Sequence, residues 1–195
     1  MTEKSWQILQ EIKQGFEFTL IGGWAVYLWA KTHKSKDIDI IVDFETLSNL
    51  KEKYGIRKND SLKRYEIKKS EIDIDIYVPY YSTLAIPVEY VQAEKIEGFS
   101  VAKPEYLLAL KQGAEIDRKE SLKVEKDRID ILSMLFNCRI DFKLYLELLK
   151  KYRIENFFGR LYKIVKEFQD YNYLNLAPGE LKVKKLKVMD EIKKI

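Results

Sequence analysis

The stretch LIGGWAVYLWAKTHKSKDIDIIVD, residues 20–43, decides how this chain folds. Residues 16–21 are a β-prone run that stops at Gly22-Gly23, and Trp24, Ala25, Tyr27, Leu28 and Ala30 follow at the spacing of a helix with little polarity. The expected order is a strand, a tight glycine turn and a buried helix. Beyond a basic loop holding Lys31, His33, Lys34 and Lys36, residues 37–43 alternate as DIDIIVD. Alternation with period two puts Asp37 and Asp39, with Asp43 further along, on one face of a strand, and Ile38, Ile40 and Val42 on the other.

Working outward, residues 71–77 repeat the arrangement as EIDIDIY, with Glu71, Asp73 and Asp75 on one face. Between the two acidic strands, residues 45–53 read as a helix and residues 62–68 as a further strand reached through an Asn59-Asp60 turn. Residues 2–14, with Trp6, Ile8, Leu9 and Ile12 at helical spacing, form a first helix that Gly15 stops. Residues 90–96 and 99–102 pair as a hairpin around Gly98, and Pro104 then opens a helix at an early position. From there the pattern is helical over residues 107–116, 124–136, 141–152, 155–169 and 180–195. The expected fold is α+β: a mixed β-sheet flanked by helices over residues 1–102, followed by a C-terminal helical region over residues 103–195.

Composition limits the chemistry. With 195 residues, 46% hydrophobic and 34% charged, the chain is apolar enough for an ample core. No run approaches the roughly 18 apolar residues of a membrane helix, and the N-terminus is a charged helical pattern, so a cytoplasmic protein without membrane partners is expected. Cys138 is the only cysteine and His33 the only histidine. A disulfide framework, a Cys/His zinc site, a Ser-His-Asp triad and a Cys-His dyad are thereby excluded or reduced to one candidate residue, and catalysis is expected to run on carboxylates, lysines or backbone groups. The net charge of +4 is unevenly spread: residues 140–195 hold 13 basic and 8 acidic side chains, against 22 and 23 upstream.

Pairing the two acidic strands would gather several negative charges, each uncompensated pair repelling by about 0.2 to 1 kcal/mol. Divalent cations are the natural remedy. Mg²⁺ takes oxygen ligands, and two such ions about 4 Å apart can be clasped by three carboxylates while activating an attacking oxygen. The candidates for them are Asp37, Asp39 and Asp43 on one strand and Glu71, Asp73 and Asp75 on the other. Gly22-Gly23, at a strand-to-helix junction, lets backbone N–H groups approach an anion, and the helix dipole favours a phosphate there.

In their order, LIGGWAV, SKDIDIIVD and DIDIYVP, the chain resembles the DNA polymerase β-type nucleotidyltransferase superfamily. The resemblance implies a nucleotidyltransferase-type sheet, a phosphate-binding glycine turn at Gly22 and Gly23, Ser35 beside the nucleotide, and two Mg²⁺ ions on Asp37, Asp39 and a third acid. Asp75 is preferred to Asp73 because the run Ile76-Tyr77-Val78-Pro79 after it is similar to the family's usual strand end. Further on, FSVAKPEYLLALKQGAEIDR and then EKDRIDILSML resemble the AbiEii branch of abortive-infection toxins. That likeness implies a catalytic Lys111, which steadies the phosphates, and nucleotide-binding Lys126, Asp127 and Asp130. Trp24, where relatives have a small hydroxyl residue, His33 in place of an arginine, and Arg118, seven residues after Lys111, depart from the pattern.

The function implied is transfer of a nucleoside monophosphate from an NTP such as ATP to an acceptor, with release of pyrophosphate. The sequence leaves the acceptor open. The toxin likeness points to RNA, a tRNA end included, and to a toxin or antitoxin partner protein. The alternatives are a catalytically idle module that binds nucleotide or a partner, and a protein-modifying antitoxin. The basic helix near the C-terminus, with Leu181, Leu186, Met189 and Ile192 on one side, either docks on the body or carries Lys182, Lys184, Lys185 and Lys187 to phosphates.

Overall fold

A computed structural model describes residues 1–118 and 123–194, which fall into two compact units, Met1–Lys103 and Pro104–Ile195. The fold is α+β. In the first unit the elements run α1 (Thr2–Gly15), β1 (Thr19–Ile21), α2 (Gly22–Ala30), β2 (Ile38–Ile41), α3 (Phe44–Lys53), β3 (Ile56–Asn59), β4 (Arg64–Lys69), β5 (Ile72–Tyr77), β6 (Ala93–Ile96) and β7 (Phe99–Ala102). Its seven strands form one mixed sheet in the order β3-β4-β5-β2-β1-β7-β6. β2 lies parallel to β5 and antiparallel to β1, so the two acidic strands are neighbours at the centre of the sheet.

The alternation read in the sequence is the burial pattern of these strands. Ile38, Ile40, Ile74 and Ile76 are almost wholly buried, each contributing about 1.5 to 3 kcal/mol by leaving water. Trp24 is fully buried too, its ring 4.9 Å from that of Trp6 and its indole N–H donating to Ser5 Oγ at 2.8 Å. The departure at Trp24 thus belongs to the core between α1 and α2. It does not face an incoming ligand.

Three local expectations change. Asp43 is not a member of the acidic face; it is the N-cap of α3, accepting from Thr46 N–H at 2.7 Å, and that hydrogen bond holds its carboxyl below the usual range. β3 is an additional strand ahead of the Asn59-Asp60 turn, and β4 begins at Arg64, leaving Leu62 in the turn. Tyr90, expected to start a strand, closes a short 3₁₀ turn, Val88–Tyr90, before β6.

The second unit is helical: α4 (Pro104–Asp117), α5 (Lys123–Asn137), α6 (Phe142–Lys151), α7 (Asn156–Glu167) and α8 (Pro178–Lys193). Ile195, the expected end of the last helix, lies outside the described residues. α6 is capped by Asp141, which accepts from Lys143 and Leu144 N–H groups at 3.0 and 3.1 Å, while its own N–H donates to buried Glu105 at 2.8 Å. α8 docks through Leu181, Val188 and Ile192, all buried. Among the described residues no helix is long and apolar enough to cross a membrane.

Candidate active site

The parallel register sets Asp39 opposite Asp75 and the antiparallel one sets Glu66 of β4 opposite Asp75, so three carboxylates stand in one row across β2, β5 and β4. Ile21 of β1 continues the row beside Asp39 and immediately precedes Gly22. The end of β1, and with it the start of α2, is therefore delivered to the acidic pair. Gly22 has φ of +68°, and a Cβ there would lie 2.6 Å from the carboxyl carbon of Asp39. Both the backbone conformation and the close approach require glycine. Gly23 is held for a second reason: its Cβ would lie 2.6 Å from Oγ of Ser35, a residue that is itself buried. The N-cap of α2, Ile21, has no side chain that could satisfy the first-turn N–H groups, which leaves those donors to whatever approaches.

Asp37 precedes β2 and is half-buried, as is Asp39, whereas Asp73, opposite Lys68 on β4, and Glu71, in the turn before β5, are exposed. Asp75 differs sharply from Asp73. Its side chain is 15% exposed, and burial, reinforced by the Asp39 charge and opposed by Arg64, pushes its carboxyl up to about 7. Tyr77, deeper on the same strand, is also raised, by burial first and then by the Asp39 and Asp75 charges.

Arg64 is the residue that the sequence reading missed. Its Nη1 donates to Asp75 Oδ2 at 2.7 Å and its Nε to Glu66 Oε1 at 3.1 Å. Glu66 also accepts from Arg57 Nε at 3.1 Å and Asn59 Nδ2 at 2.8 Å, and these donors, Arg57 first, hold its carboxyl down at about 2. A signal existed in the sequence: Arg64, Glu66 and Lys68 alternate on the strand that forms a hairpin with the acidic one. Among the described residues no three His, Cys, Asp or Glu side chains converge in a set that holds a metal ion as they stand.

The basic loop between α2 and β2 is partly committed, since Lys31 pairs with Glu97 and Lys34 with Glu3. A groove of about 440 Å³ in the same unit is lined by Thr19, Ile41 and Asp43 and includes none of Asp37, Asp39 and Asp75.

In the second unit, Lys111 of α4 meets Asp127 and Asp130 of α5. Lys111 Nζ is 2.6 Å from Asp130 and 3.6 Å from Asp127, and Arg118 reaches Asp127 at 2.9 Å. Asp127 and Asp130 are 1% and 4% exposed, which excludes a solvated helix surface, while Lys126, just before them, is exposed. Arg118, set apart by its spacing, joins the same cluster. A second buried centre lies one turn along α4, where Glu115 accepts from Arg128 and Arg160, each Nε at 2.9 Å. Burial alone would raise Glu115; the Arg160 and Arg128 guanidiniums outweigh it and hold the carboxyl below its usual value.

No protein-family model matches the chain, and no curated protein matches it by sequence. Solved structures do. JHP933 from Helicobacter pylori aligns over 99% of this chain and 92% of its own, with a TM-score of 0.51 and 21% identity. A crystal structure described as a "putative nucleotidyltransferase" from H. pylori aligns over 99% of this chain and 95% of its own, with a TM-score of 0.54 and 18% identity. The chain thus shares the fold of these two proteins over nearly its whole length, a nucleotidyltransferase-like fold by its likeness to the second.

Proposed function

We propose that the protein is a metal-dependent nucleotidyltransferase that moves a nucleoside monophosphate from an NTP to an acceptor hydroxyl. The observation that carries this reading is the set Gly22, Asp39, Asp75: a glycine that must be glycine, pressed against an acid that lies in register with a second, half-buried acid. Asp37, Asp39 and Asp75 offer only carboxylate oxygens, the donor type that Mg²⁺ takes, and they would hold it. When bound there, the ions supply charge neutralisation on the triphosphate and on the attacking oxygen.

The chain's own part is positioning. First-turn N–H groups of α2, exposed by Gly22 and Gly23, bind triphosphate oxygens, with Ser35 packed against that turn. Asp75 accepts the proton of the acceptor hydroxyl as its oxygen attacks the α-phosphorus. The bond from that phosphorus to the bridging oxygen breaks, and pyrophosphate leaves with the electron pair. All of these groups lie in the first unit, and Lys111, Lys126, Asp127 and Asp130 carry no step in this reading. RNA is the acceptor to test first, because the excess of positive charge lies after Arg139.

The test is incubation of the protein with each labelled NTP, Mg²⁺ and total RNA or lysate. Pyrophosphate release with label on a macromolecule is expected, and loss of both in Asp39→Asn. A second reading, a module that binds nucleotide or partner without turnover, is favoured by one observation, the Arg64 guanidinium on Asp75. Nucleotide binding with no pyrophosphate release would select it.

A further inference from the structure

Arg64 stands where the acidic row needs a positive charge. Its side chain is 19% exposed, and it bridges two strand neighbours, Nη1 to Asp75 Oδ2 at 2.7 Å and Nε to Glu66 Oε1 at 3.1 Å. The two contacts are made by different nitrogens of one planar group, so the first can be broken while the second persists. Glu66 depends little on Arg64, because Arg57 and Asn59 also donate to it. Asp75 is in the opposite position: it faces Asp39 across the β2–β5 pair, and Arg64 is the cation that moderates that repulsion. A guanidinium that lets go of Asp75 is still anchored on Glu66, and is not left as an unpaired buried charge.

Resting on the metal-centre reading above, we propose that Arg64 is an internal counter-ion for which a divalent cation must substitute. Its Nη1 occupies Asp75, metal binds by displacing that contact, and Arg64 swings onto Glu66 alone. Arg64 thereby weakens metal binding by the free protein and sets the concentration at which the site loads. The exchange is a competition of two cations for one carboxylate, so removing one competitor must strengthen the other, whereas a purely architectural ion pair has no such consequence.

The experiment is Mn²⁺ binding, read by the paramagnetic resonance signal of free Mn²⁺ at pH 8 without nucleotide. It compares the full chain with Arg64→Met, Arg64→Lys, Asp75→Asn and the double variant Arg64→Met/Asp75→Asn. Arg64→Met should bind Mn²⁺ about tenfold tighter, the scale of a single competing charge-assisted contact. Arg64→Lys, which keeps the charge and safeguards the fold, should lie between Arg64→Met and the unaltered chain. In the Asp75→Asn background, Arg64→Met should change nothing. Melting curves in chelator and in Mn²⁺ check that each variant folds and should show the larger metal-induced rise for Arg64→Met. Equal Mn²⁺ affinity in the unaltered chain and Arg64→Met, or weaker binding by Arg64→Met, overturns the exchange while leaving the metal centre standing. No Mn²⁺ binding by any variant overturns the metal centre itself, and the exchange with it.

Discussion

A β-carbon on Gly22 would lie 2.6 Å from the carboxyl carbon and 2.7 Å from the Cβ of Asp39. No side chain can occupy that space without moving the acid, and the φ of +68° at Gly22 adds backbone strain for any L-residue. Gly22→Ala should therefore lose about 100-fold in pyrophosphate release, the effect of misplacing a reacting group by around 1 Å. It should also lose about 1 to 3 kcal/mol of stability in a urea titration. Full activity would separate the glycine from the acid and remove the main support for the site.

Asp75→Asn and Asp73→Asn differ by one pleat on the same strand face, yet only Asp75, its side chain 15% exposed, lies opposite Asp39. Asp75→Asn should lower pyrophosphate release by at least about 100-fold, since even supporting residues around a metal contribute 10- to 100-fold. Asp73→Asn, an exposed change, should stay within about twofold. The reverse ranking would move the third acid to Asp73.

In chelator, the metal-free protein should become less stable as pH rises from 5 to 7, by a component due to Asp75. Its folded carboxyl is raised to about 7 by burial and by Asp39, whereas the unfolded group titrates at about 3.9. Between these values the folded state binds the extra proton, so the stabilisation is complete below the lower value and is lost as pH climbs through the upper one. The slope is at most about 1.4 kcal/mol per pH unit. Urea titrations at pH 5, 6 and 7 on the protein and on Asp75→Asn should diverge; parallel curves would show that Asp75 is not perturbed.

The central strands were legible because DIDIIVD and EIDIDIY bury one face against the core and leave the other to the acids, and period-two alternation records that division. β3 was not, because Ile56–Asn59 carries Arg57 and Lys58 with exposed side chains at the edge of the sheet, and such a strand has no hydrophobic alternation to read. Arg64 was missed for a different reason. Its partnership with Asp75 follows from the β4–β5 register, which periodicity along one strand does not contain. Asp43 fitted the alternation by position, but the chain turns into α3 at that residue, and capping takes its carboxylate.

The second unit buries a carboxylate between two guanidiniums, and Glu115 is 0% exposed. Glu115→Ala removes the shared acceptor of Arg128 and Arg160. Arg128 keeps Glu125, its neighbour one turn away, but Arg160, 22% exposed, loses the contact made by two of its nitrogens. Breaking one side of a buried pair costs about 3 to 5 kcal/mol. A stability loss of about 3 kcal/mol is expected, with Mn²⁺ binding by the first unit unchanged in the folded fraction.

Lys182, Lys184, Lys185 and Lys187 of α8 divide by what they touch. Lys184 donates to Phe136 O at 3.3 Å, and Lys185 donates to Lys166 O at 2.8 Å and to Phe168 O at 2.7 Å, so both tie the helix to carbonyls at the ends of α5 and α7. Burial lowers the Lys185 ammonium, consistent with that role. Lys182 and Lys187 are exposed. Lys185→Glu should lower stability by about 1 to 3 kcal/mol, because it removes two hydrogen bonds and sets a carboxylate against their carbonyl acceptors. Lys182→Glu/Lys187→Glu should stay within about 0.5 kcal/mol. The exposed pair is therefore the clean probe of an RNA acceptor, whose binding should weaken and lose about 0.7 to 0.9 in salt slope for each phosphate contact removed. An unaltered slope in that double variant, with stability intact, would place the acceptor's phosphates away from α8 and leave the helix a packing element alone.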